Sequence, residues 1–311
     1  MSRIFDGLQK LGAEQTGVEY PDMVSVATEV FETPRDRTFH APAGSTPKGP
    51  ADKAGLPEST LPAIEGGAAP EFPSLEVSLP PSSRLVFLAQ PDSLAAEKFR
   101  FLGVRLRNLQ RSRPLKKVLV TSSIPEEGKS LVSANLAGVL AKRKQKVLLL
   151  EGDLRRPVLA QQFGLQGLAG LGEWAQSGMQ TVSNVYHLAG PGFWFMPAGS
   201  LVENPLELLQ SGKVSYLMNQ LSILFDWIVV DSPPLLPLAD TTVWARMTDG
   251  TLLVTREGKT EKASLQRGLE ILPKTDLLGV VLNGRADMDA KHYYSRYHNP
   301  GSRTKQSSGD D

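Results

Sequence analysis

The sequence predicts a doubly wound α/β fold on a mostly parallel sheet, and three observations carry the prediction. After Pro91 come five short apolar runs, "KVLVTS", "KVLLLEGD", "DWIVVDSPP", "GTLLVTRE" and "LGVVLNGR". They are apolar on both faces, as strands covered by helices on both sides must be. The stretches between them mostly carry helical spacing. A chain of 311 residues, 41% hydrophobic, is large enough for one sizeable domain with an accessory segment, or for two small domains.

Taken in order, residues 1–88 read as a flexible N-terminal segment. Of the 23 prolines, 12 lie in the first 91 residues, beside "HAPAGSTPKGPADKAG" and "EGGAAPEFPSLEVSLPPSS" and with hardly an apolar run. At its start Ile4, Phe5, Leu8 and Leu11 follow helical spacing, which predicts a short amphipathic helix suited to docking and too short to be stable alone. The folded domain is expected over 89–290. It opens with a helix over 92–112, capped by Asp92 or Ser93, with Phe99, Leu102, Leu106 and Leu109 on one face. A polar tail, 291–311, ends the chain and is expected to be flexible.

The first apolar run leads into "TSSIPEEGKSLVSANLAGVL". It ends as a phosphate-binding loop does, in Gly128-Lys129-Ser130, but Ser123 stands where the G-x-x-x-x-G-K-[ST] pattern has its first glycine. A strand precedes it, and Val132, Leu136, Val139 and Leu140 share one face of the helix that follows, which is the context the motif requires. The helix N-terminus offers unpaired N–H groups to phosphate oxygens, Lys129 reaches the β and γ phosphates, and Ser130 ligates Mg²⁺. Glu126 and Glu127 occupy positions open to any residue, and their side chains are free to point to solvent. Two further runs end in carboxylates: Glu151 and Asp153 in "KVLLLEGDLRRP", and Asp231 in "FDWIVVDSPPLLPLAD". At the C-terminal ends of parallel strands these acids share the sheet edge of the loop, where such folds bind ligands.

Together, "TSSIPEEGKS", "LLLEGDLRRP" and "WIVVDSPP" resemble the Walker A, A′ and B set of the bacterial tyrosine kinases, cytoplasmic autokinases of capsule and exopolysaccharide systems within the ParA/MinD-like ATPases. The similarity spans roughly 85–298 and extends to "PAGSLVENPLELLQS", "TREGKT" and "LGVVLNGR". It implies an ATP- and Mg²⁺-dependent protein-tyrosine kinase. Nucleotide contacts would come from Ser123, Glu127, Gly128, Lys129, Ser130 and Leu131, with Asn283 near the adenine. Ser130, Asp153 and Asp231 would serve the metal, and Lys129, Glu151, Asp153 and Asp231 the catalysis. Glu151 stands where the family usually has Asp, and Glu126 where it usually has Gly.

The resemblance also implies subunit association through the helix at 92–112, where Glu97 and Arg100 match a Glu-x-x-Arg-x-x-Arg pattern. Gly103 takes the third place, and Arg105 or Arg107 is expected to supply the missing cation. The phosphoacceptors would be Tyr293, Tyr294 and Tyr297, three of the six tyrosines, modified between neighbouring subunits. An activating membrane partner, the cytoplasmic tail of a chain-length regulator, is implied too. The rival reading is a ParA/MinD-like switch in which ATP hydrolysis drives assembly and the tyrosines are incidental.

Composition excludes several alternatives. With no cysteine there is no disulfide, thiolate chemistry or cysteine metal site. A net charge of +1 gives no overall electrostatic case for nucleic acid, although local patches remain open. No stretch approaches the ~18 apolar residues of a membrane helix, and the N-terminus lacks a signal-type apolar region. The expected location is cytoplasmic, at the inner face of the membrane.

Overall fold

The computed structural model describes residues 28–29, 71–77, 84–177, 182–236, 238–272 and 276–284. The short helix expected at Ile4–Leu11 and the tail with Tyr293, Tyr294 and Tyr297 lie outside these residues. The strands are β1 (Thr28–Glu29), β2 (Ser74–Leu75), β3 (Lys117–Ser122), β4 (Val147–Glu151), β5 (Tyr186–Leu188), β6 (Phe193–Met196), β7 (Trp227–Asp231), β8 (Gly250–Arg256) and β9 (Leu277–Asn283). They form one sheet in the order β1-β9-β8-β3-β7-β4-β6-β5-β2. The stretch from β9 to β6 is parallel throughout. β1 runs antiparallel to β9 and β5 antiparallel to β6, and β2 pairs parallel with β5 and so runs against the central strands as well.

The helices are α1 (Val86–Ala89), α2 (Leu94–Ser112), α3 (Lys129–Ala141), α4 (Leu159–Gln162), α5 (Leu171–Gln176), α6 (Pro205–Gln210), α7 (Lys213–Leu224), α8 (Asp240–Arg246) and α9 (Lys262–Ile271). Alternation along each central strand divides the core between two faces, because successive side chains of a strand point to opposite sides. Val118, Val120, Val147, Leu149, Trp227 and Val229 pack with Phe87, Leu102, Leu106, Leu136 and Leu140 from α1, α2 and α3. Leu119, Leu148, Leu150, Ile228 and Val230 pack on the other side with Trp174, Leu217, Leu221, Trp244 and Leu265 from α5, α7, α8 and α9.

Two expectations shift. Leu85 and Phe87, which precede the domain start expected at residue 89, are buried in the core. Phe87 lies over Gly138 so closely that a Cβ there would collide with the ring. The helix α3, read as apolar on one face, is buried nearly all round, with Ser133, Ala134, Asn135 and Gly138 also inside. It is enclosed between the sheet and the helices α1 and α2, whose presence its own periodicity does not encode. The helix at 92–112 is α2, and its cap is Ser93, whose Oγ accepts from Ala96 N at 3.1 Å.

Candidate active site

The loop between β3 and α3 is held by its own two glutamates. Gly128 has φ 95°, and a Cβ on it would run into the Asn283 amide, so glycine is required for both conformation and space. Asn283, at the end of β9, donates from Nδ2 to the Glu127 carbonyl at 2.9 Å. Glu127 is wholly buried and does not point to solvent as expected. Its Oε2 accepts from Ile124 N at 2.9 Å, and its Oε1 accepts from the Thr260 hydroxyl. A carboxylate bonded to its own loop satisfies a backbone donor that burial cuts off from water. Glu126 does point outward, its side chain 81% exposed, although its φ is 64°. Lys259 Nζ pairs with it at 2.6 Å, and this bond holds the Glu126 carboxyl below the usual range. Arg256 Nη1 donates to its carbonyl at 3.2 Å. The turn after β8 therefore grips the phosphate loop through both acids.

Lys129 and Ser130 open α3, and Leu131 follows them. The three carboxylates singled out from the sequence meet here because parallel pairing aligns the strand ends. Asp231 stands opposite both Val120 of β3 and Glu151 of β4 in register. Lys129 Nζ lies 2.9 Å from Asp153 Oδ2, and Asp153 Oδ1 accepts from Arg156 N at 3.0 Å. Burial works against the lysine charge, but Asp231, Asp153 and Glu151 together raise its pKa and keep it protonated.

Asp231 is fully buried, and its Oδ1 accepts from Ser133 Oγ at 3.2 Å. The Ser130 hydroxyl sits beside the carboxyl, yet Oδ2 has no partner of hydrogen-bond geometry among the described residues. Burial raises the Asp231 pKa, against the pull of Lys129. Glu151 differs from its neighbours. Its Oε1 accepts from Leu159 N at 2.5 Å and its Oε2 from Ala198 N at 3.1 Å, so its carboxylate ties β4 to the start of α4 and to the loop after β6. Burial raises its pKa, partly offset by those two N–H groups.

This donor set fits Mg²⁺ as nucleotide sites bind it. Mg²⁺ takes one or two protein oxygens and completes its shell with phosphates and water, so it needs no all-protein cage. The orphaned Asp231 oxygen beside the Ser130 hydroxyl is such a pair, and three acids around one lysine leave a negative site that a cation balances. No group of three or more His, Asp or Glu able to hold a metal by itself occurs among the described residues.

On α2, Glu97 and Arg100 pair with each other at 2.5 Å within the helix. Arg105 lies over the Phe101 ring, 4.8 Å from its centroid. The Arg107 guanidinium lies over Gly103, with Nη1 3.5 Å from where a Cβ would be. That nitrogen is buried and without a partner among the described residues. Of the two arginines named from the sequence, Arg107 thus packs beside Gly103 and Arg105 beside Phe101.

Three participants escaped the sequence reading. Thr260 braces Glu127, Ser133 holds Asp231, and Asp240 binds Arg155 through two contacts of 2.7 and 3.0 Å. Ser133 lies one helical turn beyond Lys129, a spacing that places it on the loop-facing side of α3 and was legible in principle. Thr260 and Asp240 depend on contacts distant in sequence.

No family model matches the chain. The tyrosine-protein kinase YwqD of Bacillus subtilis (strain 168) is 34% identical over 208 residues, which cover 65% of this chain and 86% of that protein. Among solved structures, the chimerical protein CapA2B2 superposes with a TM-score of 0.62 at 27% identity, covering 70% of this chain and 96% of that one. The kinase domain of Escherichia coli tyrosine kinase ETK gives 0.59 at 29% identity, covering 65% and 82%.

Proposed function

The chain belongs to the bacterial tyrosine kinases, and from that premise we propose that it transfers the γ-phosphoryl group of Mg-ATP to tyrosines of its own C-terminal tail. The observation that carries the site assignment is the buried Asp231, one oxygen unpartnered, beside Lys129 and Ser130 at the mouth of the phosphate loop. Ser130 and Asp231 would hold Mg²⁺, with Asp153 assisting, and the ion would supply charge neutralisation at the phosphates. The N–H groups from Gly128 to Leu131 cradle the phosphates. Lys129, now paired with Asp153, turns toward them, which leaves Asp153 Oδ2 as the acceptor for the tyrosine proton. The phenolic oxygen then bonds to the γ phosphorus while the bond to the β–γ bridging oxygen breaks, releasing ADP. Glu151, bonded through both oxygens to backbone N–H groups, supports the site by fixing the strand end that carries Asp153.

The acceptors are Tyr293, Tyr294 and Tyr297, reached from a neighbouring subunit. Association runs through α2, with Glu97 and Arg100 exchanging their mutual pair for contacts with the next copy and Arg107 supplying the second cation. Each phosphate adds about −1.5 to −2 of charge and drives the assembly apart. The activator is the cytoplasmic tail of a membrane chain-length regulator in an exopolysaccharide system, which brings the kinase to the inner membrane face. None of the described helices is long and apolar enough to cross a membrane.

The test is mass spectrometry of the chain after incubation with Mg-ATP and the regulator tail, for the wild type and for a variant with all three tail tyrosines changed to Phe. Phosphate on those tyrosines, lost in the variant, is the expected result. ATP hydrolysis with no phosphotyrosine under any condition would favour the assembly switch.

A further inference from the structure

At the edge of the sheet opposite the phosphate loop, charge is segregated to a degree that the near-neutral chain does not predict. Residues 105–117 and 142–146 hold ten lysines and arginines and no acid, although the whole chain has 34 basic and 33 acidic residues. The fold brings these two segments together. One is the end of α2 leading into β3, the other the end of α3 leading into β4, and both flank the start of β7. Ile228 N donates to the Lys116 carbonyl at 2.8 Å, and Asp226 N donates to the Lys146 carbonyl at 2.8 Å. The strand starts therefore hold the two basic segments side by side.

Arg111, Lys116, Lys142, Arg143, Lys144 and Lys146 are exposed there. The acids at the strand starts are engaged in the fold. Asp226 accepts from Lys146 N at 2.8 Å, and Asp249 accepts from Lys116 N and Lys117 N at 2.8 Å each. Among the described residues, Lys117 alone of the ten forms an ion pair, with Asp249 at 3.7 Å. Helix C-termini favour basic residues, but that preference accounts for one or two per helix and not for lysines at strand starts.

We propose that this face binds an anionic phospholipid surface. It carries the number of cations, clustered and exposed, that suits acidic headgroups. Binding in this orientation sets the catalytic edge on the far side of the sheet. Six residues of β3 at about 3.3 Å each put the phosphate loop roughly 20 Å further from the membrane. The inference rests on charge and topology and stands apart from the kinase assignment.

The experiment is co-sedimentation of the full chain with vesicles of pure phosphatidylcholine and with vesicles containing one third phosphatidylglycerol, at about 0.1 M and about 0.5 M NaCl. Each cation near the surface adds about fivefold to binding. The variant with Arg111→Gln, Arg143→Gln, Lys144→Gln and Lys146→Gln keeps the backbone bonds of the face, and its ATP affinity serves as a folding control. The expected result is binding to the anionic vesicles alone, weakened by salt and reduced by about five- to sixhundredfold in the variant, four cations at about fivefold each. Equal binding to both vesicle types, no binding to either, or undiminished binding by the variant would overturn it. So would capture by poly-glutamate without capture by anionic vesicles, which would assign the face to an acidic protein.

Discussion

The two adjacent glutamates of the phosphate loop make opposite predictions, and the stronger concerns Glu127. In Glu127→Gln the side chain keeps its size but loses its charge and one of its two acceptors. The amide oxygen can face either the Ile124 N–H or the Thr260 hydroxyl, and the amide NH₂ must face the other. Thr260 Oγ1 already accepts from Arg256 N at 2.7 Å, so the swap leaves its proton without an acceptor or leaves the Ile124 donor buried and unpaired. Hydrogen bonds to a buried charge contribute about 1.5–3 kcal/mol, and the variant should lose about that much stability. If about 2 kcal/mol of it falls on holding the loop in its binding conformation, ATP affinity drops by up to about thirtyfold. Urea unfolding and calorimetric titration with Mg-ATP measure the two quantities. By contrast Glu126→Gly removes an exposed side chain from a positive-φ position that suits glycine, and no measurable loss of stability or ATP affinity is expected. A neutral Glu127→Gln, or a Glu126→Gly more damaging than it, would refute the brace.

Three other outcomes follow from the packing and the charges. Phe87→Ala should cost about 3–5 kcal/mol in urea unfolding, because its ring fills the space over Gly138; a loss near zero would place residues 84–89 outside the cooperative fold. Gly138→Ala should cost about 1–3 kcal/mol from the opposite side of the same contact, since the added methyl meets that ring. Glu173 would be raised by burial, but the Ser200 hydroxyl and the Gly170 and Ser200 N–H groups hold its pKa down, from 4.5 to about 2. A depressed acid contributes stability above its unfolded pKa and loses it as pH falls toward the folded value. Allowing for solvent screening, roughly 1–2 kcal/mol should disappear between about pH 5 and pH 2, and Glu173→Gln should flatten that part of the profile.

Much of this architecture is legible along the chain because its central strands are doubly buried. Each of the five apolar runs became a strand of the parallel core, and parallel pairing alone brings Glu151 and Asp231 level. The strands β5 and β6, three and four residues long, carry too little pattern to be read, and they form where β6 finds β4 and β5 finds β6. The same limit hides Phe87, a lone aromatic after a proline-rich stretch whose burial depends on a glycine 51 residues later. At the site, residue types and order identify Lys129, Ser130, Asp153 and Asp231 as neighbours. They do not reveal that the carboxylates of Glu127 and Glu151 turn inward to backbone N–H groups. That choice is made by which donors burial leaves unsatisfied, a property of the assembled fold.

The central claim is that Lys129, Ser130 and Asp231 form a Mg-ATP site from which phosphate passes to tyrosine. The most direct measurement is transfer of label from γ-³²P-ATP to tyrosine in the full chain with the regulator tail present, comparing wild type with Lys129→Met and Asp231→Asn. Lys129→Met removes the cation proposed to face the phosphates, and Asp231→Asn removes the charge of the orphaned acceptor, while both keep the other residues that build α3 and β7. The account predicts labelled phosphotyrosine in the wild type and a loss of at least a hundredfold in each variant. Wild-type labelling in either variant, with Mg-ATP affinity unchanged, would contradict it.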